Sequence, residues 1–262
     1  MNINDNNSKL RQNIYFTALI DIVREAGSVI LNSYNNQEPN ITYKMDQSPL
    51  TEADLMSHKV ISSQLSSISQ IPIISEESEN IHTKSEIYWL IDPLDGTKEF
   101  ISKNGEFTVN IALIENHFPL IGIVFHPVSG IAYIGGKNLG AIKIEETNEH
   151  KDIFVSGAHS PIRVVASRSH LNESTKNFIE ELGSVKTIHS GSSLKFCLVA
   201  EGLADIYPRL APTSEWDTAA AQAVVEGAGG SVLTLDGSRV RYQKENISNP
   251  DFIVRGANKL SV

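Results

Sequence analysis

The sequence predicts a mixed α/β protein in two parts. Three observations carry that expectation. Apolar residues recur at helical spacing over the first 65 residues, strand-like runs follow one another from Phe107 to Ile144, and strands alternate with helices beyond about residue 160. Residues 1–8 are polar and read as a frayed tail. Leu10, Ile14, Leu19, Val23 and Ile30 then lie on one side of a helix reaching about Tyr34, and NNQEPN is a turn cluster. Thr51 or a neighbour caps a second helix carrying Leu55, Val60, Ile61 and Leu65. IPIIS is a short buried strand ending in Glu76 and Glu77, and IYWLID is another ending in Asp92.

FTVNIALIE, LIGIVFHP, GIAYIGG and AIKIEE are separated by the turn residues 116–119, 127–130 and 135–140, which favours an antiparallel meander. The loop-rich TNEHKDIFVSGAHSP is the expected joint, dividing an N-terminal domain over 9–150 from a C-terminal domain over 151–262. Beyond it RVVAS, SVKTI, LADIYP, SVLTL and FIVRG read as strands. Helices are expected over Glu173–Leu182, Ser192–Ala200 and Glu215–Glu226, the second holding Cys197 on its apolar side.

Composition excludes several classes of function. The 262 residues include 22 Lys+Arg against 31 Asp+Glu, a net charge of −9 that argues against a general nucleic-acid binder. One cysteine permits no internal disulfide. No apolar run approaches the roughly 20 residues of a membrane span, and MNINDNNSK is not a signal peptide. A cytoplasmic globular protein is expected.

The most informative run is WLIDPLDGTKEF, residues 89–100. A strand ends at Asp92, proline stops it and Gly96 allows a tight turn, so Asp92 and Asp95 are expected on a turn with both carboxylates facing one point. Two such acids repel unless a cation or a proton lies between them. The bland alternative is a turn in which each Asp caps its own backbone. Glu76 at another strand end and Asp217 at the head of a helix favour the cation. A set of carboxylates without His or Cys selects a hard ion, Mg²⁺ or Mn²⁺, and several acids suggest more than one. Such ions turn a site that repels phosphate into one that attracts it, with Thr97 and the N–H groups after Gly96 placed to receive phosphate oxygens. Other motifs fail. Glycine falls at position 5 of an EF-hand loop begun at Asp92, and there is no phosphate-binding loop, nucleophile elbow or H-E-x-x-H.

SEES, DPLDGT and WDTAA together resemble the inositol monophosphatase superfamily of lithium-sensitive, metal-dependent phosphatases. DPLDGTKEFI, NGEFTVNIALI, SRSH, GSSLKFCLVAEGLADIYPR and WDTAAA are similar to its 3'(2'),5'-bisphosphate nucleotidase subgroup of the bacterial CysQ type, from about Leu10 to Ala257. The resemblance implies the layered αβαβα sandwich of the inositol monophosphatase and fructose-1,6-bisphosphatase type. It also implies two or three Mg²⁺ ions on Glu76, Asp92, Asp95, Asp217 and the carbonyl of Leu94, with Mn²⁺ an alternative. Asp54 and Thr97 become a proton relay orienting a water that the metals activate, and Glu76 joins them among the catalytic residues. Leu94, Asp95, Gly96, Thr97 and Asp217 then face the substrate. Ser192, Lys195 and Arg209 are offered for a second phosphate, and His170 for adenine.

Physically, Ser192 is expected to open a helix whose free N–H groups meet an anion, and Arg209 can grip phosphate bidentately. Lys195 and Arg209 also fit ordinary solvated charges, His170 a surface loop, and Asp54 a helix-terminal acid. The implied reaction is hydrolysis of the 3'-phosphate of adenosine 3',5'-bisphosphate, extending to phosphoadenosine phosphosulfate, in sulfate assimilation. A small-molecule nucleotide bisphosphate is the expected partner, with no nucleic acid and no integral membrane segment. A monomer or homodimer is expected, and peripheral attachment to the inner membrane face is left open. The rivals are an inositol or sugar phosphatase, and a non-catalytic Mg²⁺-binding module.

Overall fold

A computed structural model describes residues 3–36, 41–43, 49–79, 82–157, 159–168 and 171–257. Helix α1 spans Ile3–Asn36 and α2 Glu52–Ile68, with the short hairpin of β1 (Ile41–Tyr43) and β2 (Pro49–Thr51) between them. The helix therefore starts well before the expected tail ends. No glycine or proline interrupts residues 3–10, so a helix set by the apolar repeat downstream continues backward through polar residues. Of the NNQEPN turn, Gln37–Asn40 lie outside the described residues.

Strand β3 (Ile73–Ser75) pairs in parallel with β4 (Ile87–Asp95), followed by the short helix α3 (Thr97–Ile101). From β4 the chain runs as an antiparallel meander through β5 (Thr108–Glu115), β6 (Phe118–His126), β7 (Ile131–Gly136), β8 (Gly140–Ile144) and β9 (His150–Asp152). The resulting sheet has seven strands. Strand β9 lies inside the stretch expected to be loop. Its three residues are exposed at the sheet edge, so no apolar pattern marked them.

Next come β10 (Ile162–Ser167), α4 (Glu173–Glu181), β11 (Val185–Ser190), α5 (Leu194–Ala200), β12 (Ile206–Arg209), α6 (Trp216–Gly227), β13 (Ser231–Thr234) and β14 (Phe252–Arg255). Their strands form a five-stranded sheet in the order β11-β10-β12-β14-β13, parallel in its first pairs and antiparallel in its last.

The layers stack as helix, sheet, helix, sheet, helix. On β4, Trp89 and Ile91 pack with Leu19, Val23, Ile61 and Leu65 of α1 and α2, whereas Tyr88 and Leu90 face α5, α6 and the second sheet. Both faces are covered, which is why these strands read as continuous apolar runs rather than alternating ones. On the far side Phe178, Ile179 and Leu182, on or just after α4, pack on Val164, Ile206 and Ile253. No helix among the described residues is long and apolar enough to cross a membrane.

The central layer sets the functional geometry. Helix α6 presents Ala219, Ala220, Ala221 and Ala223, all buried. It lies so close to the large sheet that a Cβ at Gly122 would sit 2.3 Å from the Ala220 carbonyl, and one at Gly227 2.3 Å from that of Gly140. These contacts fix the depth of α6, and with it the position of Asp217 in its first turn. Gly122→Ala should therefore force backbone movement and cost about 1–3 kcal/mol. Thermal denaturation should show a midpoint several degrees lower; an unchanged midpoint would mean α6 is free to shift.

Candidate metal centre and anion-binding cleft

Strand β4 does not stop at Asp92, as the proline had suggested. Asp92 pairs opposite Asn110 and Asp95 opposite Thr108, so three steps on β4 match two on β5. Residues three apart on a regular strand face opposite sides; the extra residue of this bulge returns both aspartates to the same side. Proline is tolerated there because the bulge leaves its position outside the ladder. The bulge is held from two directions. Ser57 Oγ on α2 donates to the Pro93 carbonyl at 2.7 Å, and the Leu94 N–H donates to Asp92 Oδ1 at 3.1 Å.

Asp217 approaches from α6, its Oδ2 accepting the Ser214 N–H at 2.7 Å. One carboxylate oxygen from each of Asp92, Asp95 and Asp217 lies within 4.8 Å of the others. Glu76 follows β3, anchored by its N–H on the Ile91 carbonyl at 3.2 Å. Asp92 is only 1 % exposed. Burial, then the charges of Glu76, Asp95 and Asp217, hold its carboxyl well above the usual range. Burial, then Asp95 and Glu76, pushes Asp217 up to about 8. A cluster of oxygen donors whose own repulsion leaves it short of positive charge fits a hard divalent cation.

Asp95 joins the two sheets. Its Oδ2 accepts the Ser193 N–H at 2.6 Å and the Ser192 hydroxyl at 2.7 Å. Helix α5 opens at Leu194, not at Ser192, and has seven residues. Ser192 adopts a left-handed φ of 51°. The N–H and hydroxyl expected to meet a phosphate are thus spent on Asp95, because a carboxylate from the same chain reaches them first.

Behind the cluster, Asp54 is 2 % exposed. Its Oδ2 accepts the N–H of Thr51 at 2.8 Å and the Thr51 hydroxyl at 2.5 Å, so Asp54 reaches back to the N-cap residue of its own helix. Its Oδ1 accepts the Thr97 hydroxyl at 3.3 Å, which also lies 3.4 Å from the Leu94 carbonyl. Gly96, with φ of 93°, turns the chain into α3.

A cleft of about 350 Å³ opens over these groups, its lining including Glu76, Asp95, Gly96, Thr97, Ser192, Lys195, Arg209 and Asp217. Asp92, Leu94 and Asp54 stand behind the lining. Lys195 is buried rather than solvated; its Nζ donates to the Ser192 carbonyl at 2.5 Å, and burial lowers it to about 8 against the pull of Asp95. Arg209 donates from Nη2 to the Pro212 carbonyl at 3.0 Å, while its buried Nε has no hydrogen-bond partner among the described residues. His170 lies outside the described residues. His58 contacts the Ser75 hydroxyl through Nδ1 at 2.9 Å.

Thr108 and Asn110 went unread. Both are buried, within 3.5 Å of Asp95 Oδ2, and Asn110 Oδ1 accepts the Ser193 hydroxyl at 2.8 Å. Two polar residues at alternate positions of an otherwise apolar strand were the available signal.

Fold and site together define the class of metal-dependent phosphatases. The chain belongs to the inositol monophosphatase family, whose model matches residues 12–259. It is 46% identical over 229 residues to a 3'(2'),5'-bisphosphate nucleotidase CysQ of Buchnera aphidicola, covering 86% of each chain. The protein of that name from Escherichia coli K12 is 44% identical over 239 residues, covering 89% of this chain and 96% of the other. The crystal structure of CysQ from Bacteroides thetaiotaomicron, a bacterial member of the family, superposes with a TM-score of 0.84 at 39% identity, covering 95% and 98% of the two chains.

The acids impose a pH dependence. Asp217 has a folded pKa of about 8 against an ordinary 3.8. Between those values the folded state keeps a proton that the unfolded state has lost, so stability in chelator should fall as pH rises toward 8. Urea midpoints in EDTA should decline from pH 5 to pH 8, and Asp217→Asn should flatten the profile. A flat profile in the unaltered protein would contradict the charge repulsion described.

Proposed function

We propose that the chain hydrolyses the 3'-phosphate of adenosine 3',5'-bisphosphate to AMP and phosphate, with Mg²⁺ as the working ion. One observation carries the reading: the acidic cluster and the basic pair Lys195 and Arg209 share a single cleft. A monophosphate needs only one anion site; a nucleotide bisphosphate needs two. Relatives named as 3'(2'),5'-bisphosphate nucleotidases support the same substrate class. Phosphoadenosine phosphosulfate, with the same 3'-phosphate, falls within that class and ties the enzyme to sulfate assimilation.

Glu76, Asp92, Asp95, Asp217 and the Leu94 carbonyl are the groups to hold two or three ions, and Mn²⁺ suits the same oxygens. Bound there, the ions supply Lewis-acid charge to the attacking and leaving oxygens. Thr97 and Asp54 handle the proton. When the Thr97 hydroxyl donates to Asp54 Oδ1, its oxygen is left to accept from an attacking water and pass its proton on. Because Thr51 occupies Oδ2, Oδ1 is the oxygen that receives it. Lys195 and Arg209 hold the phosphate that is not cleaved, and the unpartnered Arg209 Nε gains an acceptor there. The parts 9–150 and 151–262 act as the two walls of the cleft.

Phosphate release with Mg²⁺ should be much faster from adenosine 3',5'-bisphosphate than from inositol 1-phosphate, and should stop in EDTA. A preference for the inositol ester would overturn the substrate assignment. Arg209→Ala should lower kcat/KM for the bisphosphate about 10- to 150-fold while sparing a monophosphate, since a charge-assisted hydrogen bond contributes roughly 1.5–3 kcal/mol. An equal loss on both substrates would place Arg209 in the fold instead. Asp95→Asn should lower kcat by at least about 10³, because each 1.36 kcal/mol of lost transition-state charge stabilisation is tenfold; near-normal turnover would remove Asp95 from the site.

A further inference from the structure

The segment from Gln243 to Asn249 belongs to no helix and no named strand, yet it is bonded along its length to the residues around Asp217. Glu215, buried two positions before Asp217, accepts the N–H of Gln243 at 2.9 Å and both the N–H and Nζ of Lys244 at 3.0 and 2.6 Å. Its own N–H donates to the Ile247 carbonyl at 3.0 Å. Gln243 Nε2 donates to the carbonyls of Thr83 and Ser85, each at 2.9 Å, just ahead of β4. The segment is a strap from the approach to β4 to the head of α6.

Asn249 closes the strap and is 8 % exposed. Its N–H donates to the Thr213 carbonyl at 2.8 Å. That carbonyl belongs to the same peptide unit as the Ser214 N–H, which holds Asp217 Oδ2. The Asn249 amide nitrogen then donates to the Ser214 carbonyl at 2.7 Å, to Thr218 Oγ1 at 3.0 Å and to Thr213 Oγ1 at 3.1 Å. Its Oδ1 accepts Lys244 Nζ at 3.3 Å. One side chain therefore grips both flanks of Asp217, before it at Ser214 and after it at Thr218.

We propose that Asn249 is a positioning residue for the metal centre, fixing the Thr213–Ser214 peptide and the first turn of α6 so that Asp217 stays aimed at the cation. The proposal rests on Asp217 being a metal ligand. The physical need is plain: Asp217 faces two other carboxylates and lies near Glu76, so repulsion favours any rotamer that swings it away, and only a fixed donor opposes this. An amide suits the position because its two N–H bonds are shared among three oxygens around Asp217. A carboxylate would turn a lone pair toward the Ser214 carbonyl, and alanine would remove the donor altogether.

The test is calorimetric titration of Mg²⁺ alone into the full chain. Asn249→Asp and Asn249→Ala should each raise Kd about 10- to 100-fold, the range for partners that orient a metal ligand. Excess Mg²⁺ should restore most of kcat, with KM for the bisphosphate unchanged. Asn246→Ala, in the same strap but bonded through Oδ1 to the Ser248 N–H at 2.9 Å rather than to the flanks of Asp217, should bind Mg²⁺ as the unaltered protein does. Unchanged Kd in both Asn249 variants would overturn the proposal. So would an equal loss in Asn246→Ala, or loss of the folded state in both Asn249 variants, because positioning leaves the fold standing. Asp217→Asn separates the two levels of the argument: an unchanged Kd in that variant would refute the metal reading itself.

Discussion

Four carboxylates held against their mutual repulsion are the constraint on which the rest of the structure depends. Asp92 and Asp217 stay well above their ordinary pKa because burial and neighbouring charge both disfavour ionisation. Such a cluster survives folding only if each member is fixed by something stiffer than its own side chain. The β4 bulge fixes Asp92 and Asp95 to one side of a sheet covered on both faces. Glycine contacts set the depth of α6 and so place Asp217. The arrangement stores the negative potential that a divalent cation relieves, and the cation in turn lets an acidic protein of net charge −9 attract phosphate.

Ser192 links the acidic cluster and the basic pair of the cleft. Its hydroxyl donates to Asp95 and its carbonyl accepts from Lys195, while its backbone holds a left-handed φ of 51° that a non-glycine residue adopts at some cost. Displacing the loop to suit one site therefore disturbs the other. The separation between the acidic cluster and the basic pair is therefore built into one residue and its neighbours.

Sequence patterning made the helices and the meander legible because both periodicities are strong. The five-layer stacking followed from the family resemblance alone. The carboxylates were legible from their residue type and their places at element ends. What escaped was geometry that pattern does not encode. Proline after Asp92 argued for a turn, but a one-residue bulge lets the strand continue and does the same work of bringing Asp92 and Asp95 together. The Gly-Ser-Ser run resembled an open helix terminus, and nothing local showed that Asp95, about a hundred residues away in sequence, fills it. Sequence left Lys195 open between a phosphate ligand and a solvated charge because burial is a tertiary property; so is the gathering of Thr108 and Asn110 behind Asp95. Strand β9, polar and exposed at an edge, carried no signal at all.

Asp92, Asp95, Asp217 and Glu76 are proposed to be gathered to hold divalent cations. Anomalous diffraction from crystals grown with Mn²⁺ tests it directly, since Mn²⁺ accepts the same oxygen donors and scatters anomalously. Peaks are expected bounded by these four side chains, at least one of them touching Asp92, Asp95 and Asp217 together. Mn²⁺ bound elsewhere, or none in the cleft at saturating concentration, would contradict it.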